Sequence, residues 1–176
     1  MSELRTNRIV PRDGLVSGAS GGVIQVVSNT FTGTWSGSSG NFTFDTVTDL
    51  NTTITPTRSD SKILVMVNVG AWESSGANQR GGVRLFRGGT MIGAADAAGS
   101  RPRCNVALNS ENSNDVTNRF SICHLDSPAT TSAVTYSIAS GTEGNYTTYI
   151  NRSAGDADSG TVPRASSSIT LMELSG

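Results

Sequence analysis

The stretch SKILVMVNVGAW, residues 61–72, decides the fold. Ile63, Val65, Val67 and Val69 fall on one side of an extended chain, and Leu64 and Met66 fall on the other. A strand that is apolar on both sides is buried on both. In a sandwich of two sheets one side meets the core. The other needs a second cover, and a neighbouring subunit is the natural one.

Short strands surround this one. VIQVVSNTF (23–31) is β-branched and reads as a first strand, followed by TGTWSGSSGN as a Gly/Ser loop carrying Trp35. FTFDTVTDL (42–50) and a further short strand in TTITPT, stopped by Pro56, precede the central stretch. GVRLFRGGTMIGAA (82–95) is a hairpin, with Gly88 and Gly89 supplying the positive φ of a tight primed turn. RCNVAL (103–108) and RFSICHL (119–125) are strands on either side of the polar loop NSENSND. DSPATTS turns the chain so that AVTYSIA (133–139) pairs back. NYTTYIN (145–151), the long loop AGDADSGTVPRA and a closing strand SSITLMEL (167–174) follow. About eight to ten short strands with frequent turn signals define an all-β protein of the sandwich or jelly-roll type. No window keeps a helical period, and there is no internal repeat. The expected layout is an arm and linker over residues 1–21 and one head domain over residues 22–176.

Composition agrees. Hydrophobic residues are 35% and charged residues 15%, with 20 glycines among abundant Ser, Thr and Asn. A net charge of −1 with clustered Val, Ile and Thr argues for turn-rich sheet rather than disorder. The basic residues are scattered and, apart from Lys62, all arginine, which excludes a concentrated nucleic-acid-binding face. No apolar run is long enough to span a membrane, and the start has no signal-peptide core. Cys104 and Cys123 form neither a disulfide framework nor a metal spacing, and both are expected as thiols of a chain folded in a reducing cytoplasm.

Chemistry is sparse. His124, the single histidine, alternates with Phe120 and Ile122, so it is expected as a sheet residue, and Cys123 points to the opposite face. Asp156 and Asp158 in DADSG resemble the start of a calcium loop but lack its later ligands. Glu73, Glu111, Glu143 and Glu173 lie on separate segments, with nothing in the sequence to pair them as a glycosidase requires. No catalytic residue, metal or cofactor is expected. Trp35, Trp72, Tyr146, Asn112, Asp156 and Asp158 remain as surface-contact candidates on loops, and for Trp72 the stronger expectation is that it caps the core.

LRTNRIVPRDGL (4–15) precedes the first strand as a basic segment too poor in apolar residues to fold alone. It can add as a strand to the sheet edge of a partner, with Leu4, Arg5, Thr6, Asn7, Arg8, Ile9, Val10 and Arg12 as the docking residues.

LRTNRIVPRDGL followed by SGASGGVIQVV resembles the start of small tail-fibre-like virion proteins of marine and cyanobacterial tailed bacteriophages. SKILVMVNV, LDSPATTSAVTY, YINRS and SITLMEL are similar to the same group, so the resemblance spans most of the chain. It implies a phage structural protein with a jelly-roll head similar to the tumour necrosis factor and complement-head architecture, packed as a homotrimer about a threefold axis. Leu64, Met66, Leu171 and Leu174 would then lie at the trimer interface. Heptads and a triple-β-helix repeat are lacking, which departs from long fibres and favours a short knob. The resemblance implies a chain made in the bacterial cytoplasm and carried on the virion. There it would be either a tail-associated adhesin for a host surface glycan or a capsid decoration protein.

Overall fold

A computed structural model describes residues 22–111 and 117–176. The docking residues Leu4 to Arg12 and the contact candidate Asn112 lie outside the described residues. Among the described residues the chain forms two antiparallel sheets and no helix, consistent with a β-sandwich.

The front sheet is built on β4 (Lys62–Ser74). Along one margin runs β8 (Asn118–Asp126). Along the other margin lie two strands end to end. β11 (Ser167–Leu174) pairs with Lys62 to Asn68, and β10 (Asn145–Ile150) pairs with Trp72 to Ser74. Beyond them lie β1 (Val23–Phe31) against β11 and β2 (Trp35–Gly40) against β10. The gap between β10 and β11 is filled by Asn151, which is fully buried at φ 66°. Its N–H donates to Ala71 O, its carbonyl accepts from Ala165 N, and its Nδ2 donates to Phe31 O and Gly33 O. Its Oδ1 accepts from Ser167 Oγ at 2.5 Å. One carboxamide therefore replaces the ladder that the divided strands cannot make.

The back sheet runs β3 (Asp45–Ile54), β9 (Val134–Thr142), β5 (Arg80–Arg87). The far margin of β5 is shared by β6 (Thr90–Ile92) and β7 (Val106–Asn109). Gly88 and Gly89 both have positive φ in the β5–β6 turn, as the sequence requires. Between the sheets, Ile63, Val65, Val67, Val69, Ile169 and Leu171 meet Val47, Leu50, Val83, Leu85 and Ile138. Trp72 is 0% exposed and its indole Nε1 donates to Ser140 Oγ across the core at 2.9 Å. At the other end Tyr136 donates to Asp126 at 2.7 Å, and Arg87 donates to the same carboxylate at 3.0 Å.

Four expectations are corrected. TGTWSGSSGN is not a loop, because Trp35 to Gly40 pair residue by residue with Ile150 to Asn145. Trp35 packs on the core, and Ser38 Oγ bonds Thr147 Oγ1 at 2.8 Å, so tertiary pairing overrides weak strand propensity. The two strands expected over 42–56 are one, β3, with a register shift between Thr46 and Asn51. β9 does not pair back on β8, because DSPATTS carries the chain from the front sheet to the back sheet. Leu171 is 0% exposed and sits in the core, not at an interface. Positions 171 and 174 are three apart, and a strand of period two cannot show both on one side.

Candidate functional site

The outer side of the front sheet carries an uncovered apolar ladder. The register places Val26 beside Met172, Met172 beside Leu64, and Leu64 beside Leu125, one residue from each of four adjacent strands. Val26 is 52% and Leu125 53% exposed. Met66 lies one row further along, between Thr170 and the exposed Cys123, and Leu174 one row back, between Val23 and Lys62. Leu64, Met66 and Leu174 are thus on the outer side, as the sequence pattern suggests. Val26 and Leu125 complete the ladder. Their signal is alternation within VIQVV and RFSICHL, where each falls opposite the inward set, and it takes the cross-strand register to align them.

The ladder fades towards the far end of the same face, where Thr30, Ser168, Asn68 and Ser121 align, followed by Gly70. Here Asn68, Val69, Gly70, Arg119, Phe120, Ser121 and Ser166 line an open groove of about 480 Å³.

The loops at that end of the sandwich join β2 to β3, β4 to β5, β7 to β8 and β9 to β10. Tyr146, 36% exposed, stands among them, its ring against the backbones of Gly76 and Gly144. Ser110 staples two of these loops, its Oγ donating to Gly76 O at 2.5 Å and its N–H to Gln79 O. Glu73 is enclosed nearby, paired across the ladder with Tyr149. Its Oε1 accepts from Ser74 N at 2.9 Å, but its Oε2 is buried without a partner. Burial pushes the Glu73 carboxyl up to about 7; the Ser74 N–H opposes this and the negative Glu111 adds to it.

The remaining candidates do not converge. Trp72, fully buried, is removed from the contact set, and its core-capping role stands. Trp35 is half-buried at the start of β2. Asp156 is taken up by Arg164 at 2.7 Å and Arg152 at 3.5 Å, and with the exposed Asp158 it lines a shallow recess in the β10–β11 connection. Among the described residues no three metal-ligating side chains cluster. The His124 imidazole lies on Gly93, where a Cβ would come within 2.7 Å of it, and Cys123 faces the other way. Among the described residues no helix is long and apolar enough to cross a membrane. Asn151 belongs to a glycosylation sequon, yet its side chain is wholly committed inside the fold.

Glu173 has partners on both carboxylate oxygens. It is buried, yet it accepts from Gln25 Nε2 at 2.5 Å, Ser61 Oγ at 2.7 Å, and Thr57 N and Oγ1 at 2.8 Å. Burial pushes its pKa up, but these bonds outweigh burial and hold it below the usual carboxylate range. The group therefore ties the β3–β4 connection to β1 and β11, a structural task. A depressed carboxyl stabilises the fold above its unfolded pKa and loses that contribution as pH falls through the folded value. Glu173→Gln is expected to cost about 1–2 kcal/mol at pH 7. In urea titrations the gap to the parent should close as pH drops below 4.5.

No protein-family model matches the chain, and no curated protein matches it either.

Proposed function

We propose that this chain is a structural protein of a bacteriophage particle, a trimeric jelly-roll head that residues 1–21 tie to the virion. In this reading it is a tail-associated adhesin, and the loops around Tyr146 face a host surface glycan. The observation that carries the reading is the ladder Val26–Met172–Leu64–Leu125, four apolar side chains in register on an outer face that nothing in the chain's described residues covers. The strand order supports a jelly roll, since β1-β11-β4-β8 stacks on β3-β9-β5-β7 and the chain crosses between the sheets from β2 to β3, β3 to β4, β4 to β5, β7 to β8, β8 to β9 and β9 to β10. The chemistry also supports a structural role, since Glu143, Asp126, Asp156 and Glu173 are taken up in ion pairs and hydrogen bonds.

Light scattering on the full chain tests the assembly. The expected mass is that of three chains, and Leu64→Asp, which puts a charge into the middle of the ladder, is expected to give one. A monomeric parent would overturn the trimer. Binding separates the two virion locations. An adhesin coats cells of a cyanobacterial or other marine host, whereas a decoration protein binds capsids and raises their resistance to heat.

A further inference from the structure

The groove at the polar end of the front sheet carries four polar side chains that the fold does not use. Among the described residues Arg119 is the one arginine with no hydrogen bond, ion pair or ring contact. Arg58, Arg80, Arg87, Arg152 and Arg164 are paired with carboxylates, Arg84 covers Phe44, and Arg101 and Arg103 bond carbonyls. Arg119 is exposed at the groove, and Asn68, Ser121 and Ser166 line it with side chains that likewise make no hydrogen bond within the fold. Gly70 keeps the floor open. A Cβ there would lie 2.4 Å from Ser166 O, so the β4 backbone and the Ala165–Ser166 segment touch directly and leave the space above them free. Val69, buried in the core, and Phe120, half-buried against it, border the groove.

A free guanidinium, a carboxamide and two hydroxyls around an open floor at Gly70 match one ligand chemistry. The guanidinium takes a carboxylate by two parallel hydrogen bonds. The carboxamide and hydroxyls pair with ring hydroxyls, each able to donate and accept. About 480 Å³ is within the size of small-molecule sites, with few convergent polar groups. The ladder residue Met66 is two positions from the groove residue Asn68, about 7 Å along β4, so the groove borders the face that a partner would cover.

We propose that this groove binds an acidic monosaccharide unit, a uronic acid or its close relatives, with Arg119 holding the carboxylate and Asn68, Ser121 and Ser166 the hydroxyls. This deepens the adhesin reading by naming its ligand class, and rests on it only for the source of the sugar.

The test is titration of the isotope-labelled full chain with D-glucuronic acid, followed by amide and arginine Nε–H resonances, with glucose and acetate as controls. Glucuronic acid at millimolar concentration is expected to shift Asn68, Gly70, Arg119, Ser121 and Ser166, with glucose binding about tenfold weaker or more. Arg119→Gln should abolish the preference for the acid, and Arg119→Lys should keep part of it, since the charge remains but the planar fork is lost. Arg119 is exposed and unpartnered, so both variants fold. The site is overturned by shifts elsewhere only, by equal response to glucose, by acetate reproducing the pattern, or by Arg119→Gln binding unchanged. Cell attachment is scored separately. Groove binding without attachment removes the adhesin reading and keeps the site, and attachment that survives Arg119→Gln with a silent groove does the reverse.

Discussion

Asn151→Leu is expected to destabilise the protein by about 3–5 kcal/mol, the largest loss from any single substitution on the front sheet outside the core. Leucine has the same heavy-atom branching and is larger, so no cavity forms and the loss comes from polar groups and crowding. Phe31 O and Gly33 O lose their donor, and the buried Ser167 Oγ loses its acceptor. A buried polar group left without its partner costs about 1–3 kcal/mol. The backbone adds to this, since φ of 66° suits asparagine and penalises a branched apolar side chain. Asn151→Gly separates the two causes, because glycine accepts that φ freely and removes only the hydrogen bonds. In thermal unfolding followed by circular dichroism, the leucine variant should melt about 10 °C or more below the parent, with glycine in between. A loss below about 1 kcal/mol would mean that water replaces the carboxamide and that Asn151 is not what holds β10 and β11 apart.

Asn151 also shows where reading the sequence stops. It sits in YINRS, which carries a strand ending and a sequon, and nothing local says that the next strand will leave a gap at this point. The core strand 61–72 is legible because Ile63, Val65, Val67 and Val69 recur at period two as the inward set, with Leu64 and Met66 between them. β2 is illegible for the opposite reason. Ser36, Gly37 and Ser38 have no preference of their own and become strand only because β10 lies alongside and Trp35 anchors them to the core. The outer ladder is half legible. Leu64 and Met66 announce a second apolar side, but Leu125 and Val26 join them through pairings between residues as far apart as 26 and 172. The groove around Arg119 escapes altogether, since an arginine that salt-bridges and one that is free look the same in a sequence.

Glu73 is expected to act against the fold, and Glu73→Gln to stabilise it by up to about 2–3 kcal/mol above pH 7. Its neighbours explain the sign. The carboxyl is enclosed, one oxygen has a single N–H donor, the other has none, and the charge that acts on it is Glu111, of the same sign. The native state therefore holds a proton up to about pH 7, while the unfolded chain releases it near 4.5. Between those values the native state binds more protons than the unfolded state, so stability falls as pH rises, and the penalty is complete above the native value. Glutamine keeps the acceptor for Ser74 N–H and carries no charge to desolvate. The difference in unfolding free energy between variant and parent should thus be small at pH 4.5, grow through pH 6 and level off past pH 7. Glu111→Gln should move the parent's inflection to lower pH by a smaller amount, because Glu111 is the lesser cause and burial the greater. A difference that is flat with pH would mean that the carboxylate reaches water in solution. The cost would then be absent, and Glu73 would join the exposed polar groups at the loop-bearing end instead of lying beneath them.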